Sequence, residues 1–98
     1  MPELHFRQQA IIDLSEIWNY TFDNWSEKQA DKYYNLLVSA CQGIAKSPVK
    51  GKSYKEIGNG IMGYPAHRHL IFYHFPAPDT VEIIRILHGS MDLKSKFE

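Results

Sequence analysis

Arg85 lies in the middle of an apolar run, Val81-Glu82-Ile83-Ile84-Arg85-Ile86-Leu87-His88. A guanidinium there needs a phosphate, a carboxylate or open water, because an unpaired buried charge is costly. Two readings follow: an anion-binding site, or an ion pair with Glu56 or with an acid on a helix. Arg68 opens a second apolar run, Arg68-His69-Leu70-Ile71-Phe72-Tyr73-His74-Phe75, where an exposed charge or a second anion ligand would both fit. His88 precedes Gly89-Ser90. It could act as a general acid or base, or as a structural hydrogen-bonding group. Strand alternation puts Arg85 and His88 on opposite faces, which argues against a shared ligand. His67 and His69 would share a face if both were extended, but no third ligand, cysteine pair or His-Glu spacing accompanies them, so neither a metal site nor a cofactor is expected. Cys41 is the only cysteine and falls in an apolar helical stripe, which predicts a buried, inert thiol. No nucleophile elbow, P-loop, dinucleotide fingerprint or zinc-ribbon spacing is present.

These residues belong to a hairpin. Its first run ends at Phe75, Pro76-Ala77-Pro78-Asp79 breaks it, and Thr80–Asp92 is the return. Leu70, Phe72, Ile84 and Ile86 are expected to anchor whatever packs on it. Pro2-Glu3-Leu4-His5-Phe6 alternates as a short edge strand. From Gln8 the period becomes helical, with Ile11, Leu14, Trp18 and Phe22 in one stripe, predicting a helix over Gln8–Phe22. Ser26-Glu27-Lys28-Gln29 has the form of a capping box. The helix it opens carries Ala30, Tyr33, Tyr34, Leu37, Ala40, Cys41 and Ile44 on one stripe, reaches Lys46 and stops at Pro48. So short a connection makes the two helices antiparallel neighbours. The basic, glycine-rich segment that follows reads as loop with a short strand around Tyr54–Ile57, a turn at Gly58-Asn59-Gly60 and a strand over Ile61–Ala66. The order β-α-α-β-β-β predicts an α+β fold, a helical hairpin packed on one face of a mostly antiparallel sheet.

Ninety-eight residues make one domain, 1–98, and 44% hydrophobic content is that of a globular protein. No apolar run is long enough to span a bilayer and no signal peptide is visible, so a cytoplasmic location and no membrane partner are expected. The net charge of zero is unevenly spread. Residues 1–45 hold three bases and six acids, and residues 46–98 eight bases and five acids. A basic sheet side would favour an acidic partner.

Several blocks in sequence order carry a resemblance. They are Asp13-Leu14-Ser15-Glu16-Ile17-Trp18-Asn19-Tyr20, Trp25 to Tyr34, Pro48 with Gly51-Lys52, Arg68-His69-Leu70-Ile71-Phe72-Tyr73, and Ile84 to Asp92. Together they resemble the ParE-type toxins of the RelE/ParE superfamily of type II toxin–antitoxin systems, with Arg85–Asp92 the most specific block. The resemblance implies a RelE/ParE-like fold and a toxin neutralised by a ParD-like, ribbon-helix-helix antitoxin in a higher-order complex. It implies DNA gyrase as the target, inhibited by protein contact without enzymatic activity or sequence-specific nucleic-acid binding. Target contact would fall on Arg85, His88, Ser90, Met91 and Asp92, and antitoxin contact on Trp18, Trp25, Tyr33, Tyr34 and Arg68. The sister branch supplies an alternative, a ribosome-dependent mRNA endonuclease using Arg68, Arg85 and His88, for which zero net charge is a poor match. A degenerate toxin that only binds its antitoxin is a third reading.

Overall fold

The computed structural model describes residues 3–47 and 51–88. Strand β1 (Glu3–Phe6) leads into helix α1 (Gln8–Asn24) and helix α2 (Glu27–Lys46). Four strands follow: β2 (Lys52–Ser53), β3 (Met62–Ala66), β4 (His69–Ala77) and β5 (Thr80–His88). They form one five-stranded sheet in the order β1-β5-β4-β3-β2, with β1 parallel to β5 and the other pairs antiparallel. The expected α+β architecture is therefore observed, with one short strand more.

Local chemistry sets the helix ends. Ser26 caps α2 by accepting a hydrogen bond from the Gln29 N–H at 3.1 Å, and Lys46 stands in its last turn, where a cation complements the helix dipole. Of the α2 stripe, Ala30, Leu37, Cys41 and Ile44 are buried and Tyr33 and Ala40 half-buried, while Tyr34 is exposed, against the reading. Helix α1 is rotated from the predicted stripe. Ile11 and Phe22 are exposed, at 52% and 46%, while Ala10, Asp13 and Leu14 are buried. Ala10 is small enough for close approach to the sheet, and Phe22 stacks on Trp18 outside the core (centroids 5.3 Å apart).

The hairpin also differs from its reading. Strand β4 runs through Pro76 to Ala77, and Ala77 pairs with Thr80, so the turn is Pro78-Asp79 alone. Pro76 is tolerated because the register slips between His74 and Ala77, where a bulge frees it from the ladder. A second slip leaves Ile84 unpaired, since Tyr73 faces Ile83 and Phe72 faces Arg85. That extra residue reverses the alternation of β5. Val81, Ile83 and Ile86 join Ile71 and Tyr73 in the core under the helices. Of the four expected anchors only Ile86 belongs to that core. Phe72 and Ile84 are buried elsewhere, and Leu70 is half-buried.

The segment after α2 pairs earlier than expected, at Lys52–Ser53, and Tyr54–Ile57 is a turn closed by the Ile57 and Gly58 N–H groups on the Tyr54 carbonyl. Tyr54 leaves the strand to set its ring edge-on to Phe72, 5.3 Å between centroids. Gly63 permits this, because a Cβ there would lie 2.5 Å from the Tyr54 ring. Strand β2 covers only Met62 and Gly63, so among the described residues β3 beyond them is an edge that accepts Pro65. Two substitutions test the packing by urea denaturation: Leu37→Ala should cost about 2–5 kcal/mol through a core cavity, and Ser26→Ala about 1 kcal/mol through the lost cap.

Candidate functional site

Backbone pairing between β1 and β5 ends where the Arg7 N–H donates to the Ile83 carbonyl at 2.9 Å. The chain then turns into α1, and the edge of β5 beyond Ile83 meets that helix instead of a strand. Asp13, 4% exposed, fills the edge: one of its carboxylate oxygens accepts from the Ile86 N–H at 3.0 Å. The same carboxylate accepts from Arg85 Nε at 2.8 Å and Nη2 at 3.0 Å. By register Arg85 points with Phe72, away from the helices, so its stem turns over the edge to reach Asp13. Of the two sequence readings of Arg85, the ion pair is realised, with a helix acid and not with Glu56. The carboxylate and nearby Glu16 raise the already high pKa of the guanidinium, the hydrogen bonds from Arg85 to Asp13 being the largest cause.

Between this edge and the ends of both helices lies a groove of about 780 Å³. Ile17, Thr21, Ile86 and Leu87 line it, with Tyr20, Trp25 and Tyr33, and with Arg68, His69, Arg85 and His88. Arg85 and His88 do sit on opposite faces by register, opposite Phe72 and His69 respectively. They nevertheless share the groove, because it opens at the strand edge, where side chains from both faces arrive. Of the residues assigned to the antitoxin, Trp25, Tyr33 and Arg68 line the groove, while Trp18 and Tyr34 do not. The Trp18 indole donates to Asp31 at 3.0 Å, and Tyr34 is 38% exposed. Ser90, Met91 and Asp92 lie outside the described residues.

A second polar set lines the wall. The Tyr33 hydroxyl is hydrogen-bonded to Nδ1 of His69 at 2.7 Å, and its oxygen accepts from the Arg68 N–H at 3.3 Å. The His69 ring meets His88 edge-on, 5.5 Å between centroids. Burial, then the facing His88, push the His69 pKa down to about 4, against an opposing pull from Asp13. His69 is thus neutral near pH 7 and can accept from Tyr33. His67 is not extended: its φ of 59° places it in the left-handed region, in the turn between β3 and β4. It cannot share a strand face with His69 as the sequence reading required. Among the described residues no cluster of His, Cys, Asp and Glu could hold a metal ion. Cys41 is buried, its thiol pushed up to about 12 by burial.

Sequence reasoning missed Asp13 as the partner, although an acid between Ile12 and Leu14 in a helix was the available signal. It also missed Tyr20 and Thr21 as groove residues. Arg85→Ala should destabilise the fold by on the order of 3 kcal/mol, because it strands a buried carboxylate. Asp13→Asn combined with Arg85→Gln, which keeps an acceptor for Ile86, should recover much of that loss in urea melts. His69 predicts a pH effect. Between its ordinary 6.5 and about 4 the unfolded chain binds a proton that the folded chain refuses, so its contribution lowers stability as pH falls across that window and levels off below it. His69→Gln should flatten that slope in the urea midpoint measured between pH 7 and 5.

The family model for the ParE toxin of type II toxin–antitoxin systems matches residues 4–93. A curated relative in Mycobacterium tuberculosis, toxin ParE1, is 35% identical over 84 residues, 86% of each chain. Toxin ParE1 of Caulobacter vibrioides is 30% identical over 95 residues, 97% of each chain. Among solved structures, a chain of the chromosomal ParDE toxin–antitoxin system from P. aeruginosa superposes with a TM-score of 0.79 at 16% identity, covering 90% of this chain and 96% of that one. This last likeness is one of fold.

Proposed function

The chain belongs to the ParE toxin family of type II toxin–antitoxin systems, and from that premise we propose that it inhibits DNA gyrase by protein contact and is held silent by a ParD-like antitoxin. The protein works as a single domain, residues 1–98, in the cytoplasm, without catalysis of its own. No helix among the described residues is long and apolar enough to cross a membrane. The antitoxin contacts Trp18, Trp25, Tyr33, Tyr34 and Arg68, and the two assemble into a higher-order complex. The target meets the end of β5 through Arg85 and His88 and the residues that follow, Ser90, Met91 and Asp92.

The Arg85–Asp13 pair is the observation that carries an inhibitor over a nuclease. A ribonuclease needs cations to hold phosphate and an acid–base pair to move the 2′-hydroxyl proton. Here the guanidinium of Arg85 is already bonded to a buried carboxylate, which supplies the counter-charge a phosphate would bring. The convergence of Arg68, Arg85 and His88 on one groove is what favours the nuclease as a second reading.

The two readings separate in two measurements. Purified protein without antitoxin should block supercoiling by gyrase and yield linear DNA when the reaction is denatured; no effect at stoichiometric excess of folded protein would remove the inhibitor. Messenger RNA from cells expressing the chain should keep its normal 3′ ends during growth arrest. New ends mapped within codons at translating ribosomes would instead establish the nuclease.

A further inference from the structure

We propose that the lysine-bearing segment between α2 and β3 binds the phosphodiester backbone of duplex DNA without regard to sequence, through Lys46, Lys52 and Lys55. The gyrase reading supplies a purpose for this site but not its chemistry: an inhibitor of an enzyme that works on DNA gains by holding the enzyme and its duplex together.

The uneven charge of the chain is concentrated in this segment. Residues 46–66 carry four lysines and one acid, Glu56. Lys46, Lys52 and Lys55 are exposed and, among the described residues, form no ion pair. Nine residues separate the first from the last, a reach of at most about 32 Å, so all three fit along one duplex turn of roughly 34 Å. Lysine on an edge strand also discourages edge pairing, but only Lys52 of the three belongs to β2.

The core holds the segment in place. The Gly51 N–H donates to the hydroxyl of buried Tyr73 at 2.9 Å, and a Cβ on Gly51 would collide with that hydroxyl. After β2 the Tyr54 N–H donates to the Ile61 carbonyl at 2.9 Å. Lys52 lies opposite Gly63, on the sheet face away from the helices, and its ammonium is 5.8 Å from the centre of the Tyr54 ring. Groups positioned before contact lose less freedom on binding.

The chemistry of the patch selects its occupant. None of the exposed large apolar side chains falls between residues 46 and 66. Protein interfaces are depleted in lysine and anchored by aromatic and apolar groups, and binding at a membrane surface needs apolar area to bury. What lysines alone suit is a hydrated polyanion of dense, regular charge, and a duplex carries one charge per roughly 1.7 Å of its axis. Ser53 and Asn59, both exposed, add the hydroxyl and amide groups that commonly join lysine at phosphates.

The test is fluorescence anisotropy of a labelled, mixed-sequence DNA duplex titrated with the whole chain, free of antitoxin, over a series of salt concentrations. Three phosphate contacts should give a slope of log affinity against log salt of about −2.7. Lys52→Gln with Lys55→Gln should remove about 1.8 of that slope and at least tenfold of the affinity at low salt. Lys28→Gln with Lys32→Gln makes the same change in net charge on α2 and should stay within twofold of the wild type. Circular dichroism confirms the folding of both. No binding at low salt, or equal loss from the two variants, overturns the proposal. Poly-glutamate bound as tightly as the duplex at equal charge concentration assigns the patch to an acidic protein instead, and duplex RNA bound tenfold more tightly overturns the assignment to DNA. Duplex binding by a chain without effect on gyrase upholds the site and removes the gyrase reading; gyrase inhibition by a chain that binds no duplex does the reverse.

Discussion

At the edge of β5 a carboxylate takes the place of a strand. The last backbone bond from β1 reaches Ile83, and the next inward-pointing amide on that side, at Ile86, would be left without a partner as the chain departs into α1. A buried, unsatisfied N–H costs about 1–3 kcal/mol. Asp13 removes that cost, and Arg85 removes the larger cost of burying Asp13 itself. The three groups are interdependent: the amide needs the carboxylate, the carboxylate needs the guanidinium, and the guanidinium needs the bulge at Ile84 that sets its phase. Helix and sheet are thereby tied at a defined separation, and the groove is the space left alongside.

The same arrangement explains why polar groups collect where they do. A strand that is paired on both sides offers only its two faces. One that loses a neighbour offers its edge as well, and side chains from either face can converge there. Arg85 and His88 meet the groove for this reason, despite the pleat that separates them. Tyr33 performs a related service, joining α2 to the β3–β4 turn through one hydroxyl bonded to both His69 and the Arg68 N–H. Burial keeps the imidazole of its partner His69 neutral near pH 7.

Much of this fold is legible in the amino-acid order because local signals agree with the final structure. Ser26 caps, the α2 stripe apart from Tyr34 faces inward, and the apolar runs around Pro78-Asp79 pair. Illegible parts are those in which one residue shifts a period. The bulge at Ile84 is invisible in a run of β-branched residues, each of which fits either face, and it puts Ile84 out of phase with Ile86; on β4, Ile71 and Tyr73 face the helices, so Leu70 and Phe72 point the other way. In α1, size misled: Ile11, Trp18 and Phe22 look like core, yet the sheet accepts Ala10 and an aspartate. Of the site, the mid-strand arginine announced that it needed an anion. Which acid answered it depends on the helix phase, and so lay beyond reach of the sequence pattern. The strain at His67 was equally hidden, since nothing in a run of Ala-His-Arg-His marks the one residue that must adopt a left-handed conformation.

Pro65 sits on the stretch of β3 that β2 leaves uncovered. Long open strand edges recruit other chains and grow into aggregates, and a proline interrupts the row of donors such growth requires. Among the described residues, a two-residue β2 and a proline farther along β3 therefore let the sheet end without inviting a stranger's strand. For a toxin whose action requires release from its antitoxin, colloidal behaviour in the unbound state matters as much as stability in the bound one, and this margin of the sheet is built for it.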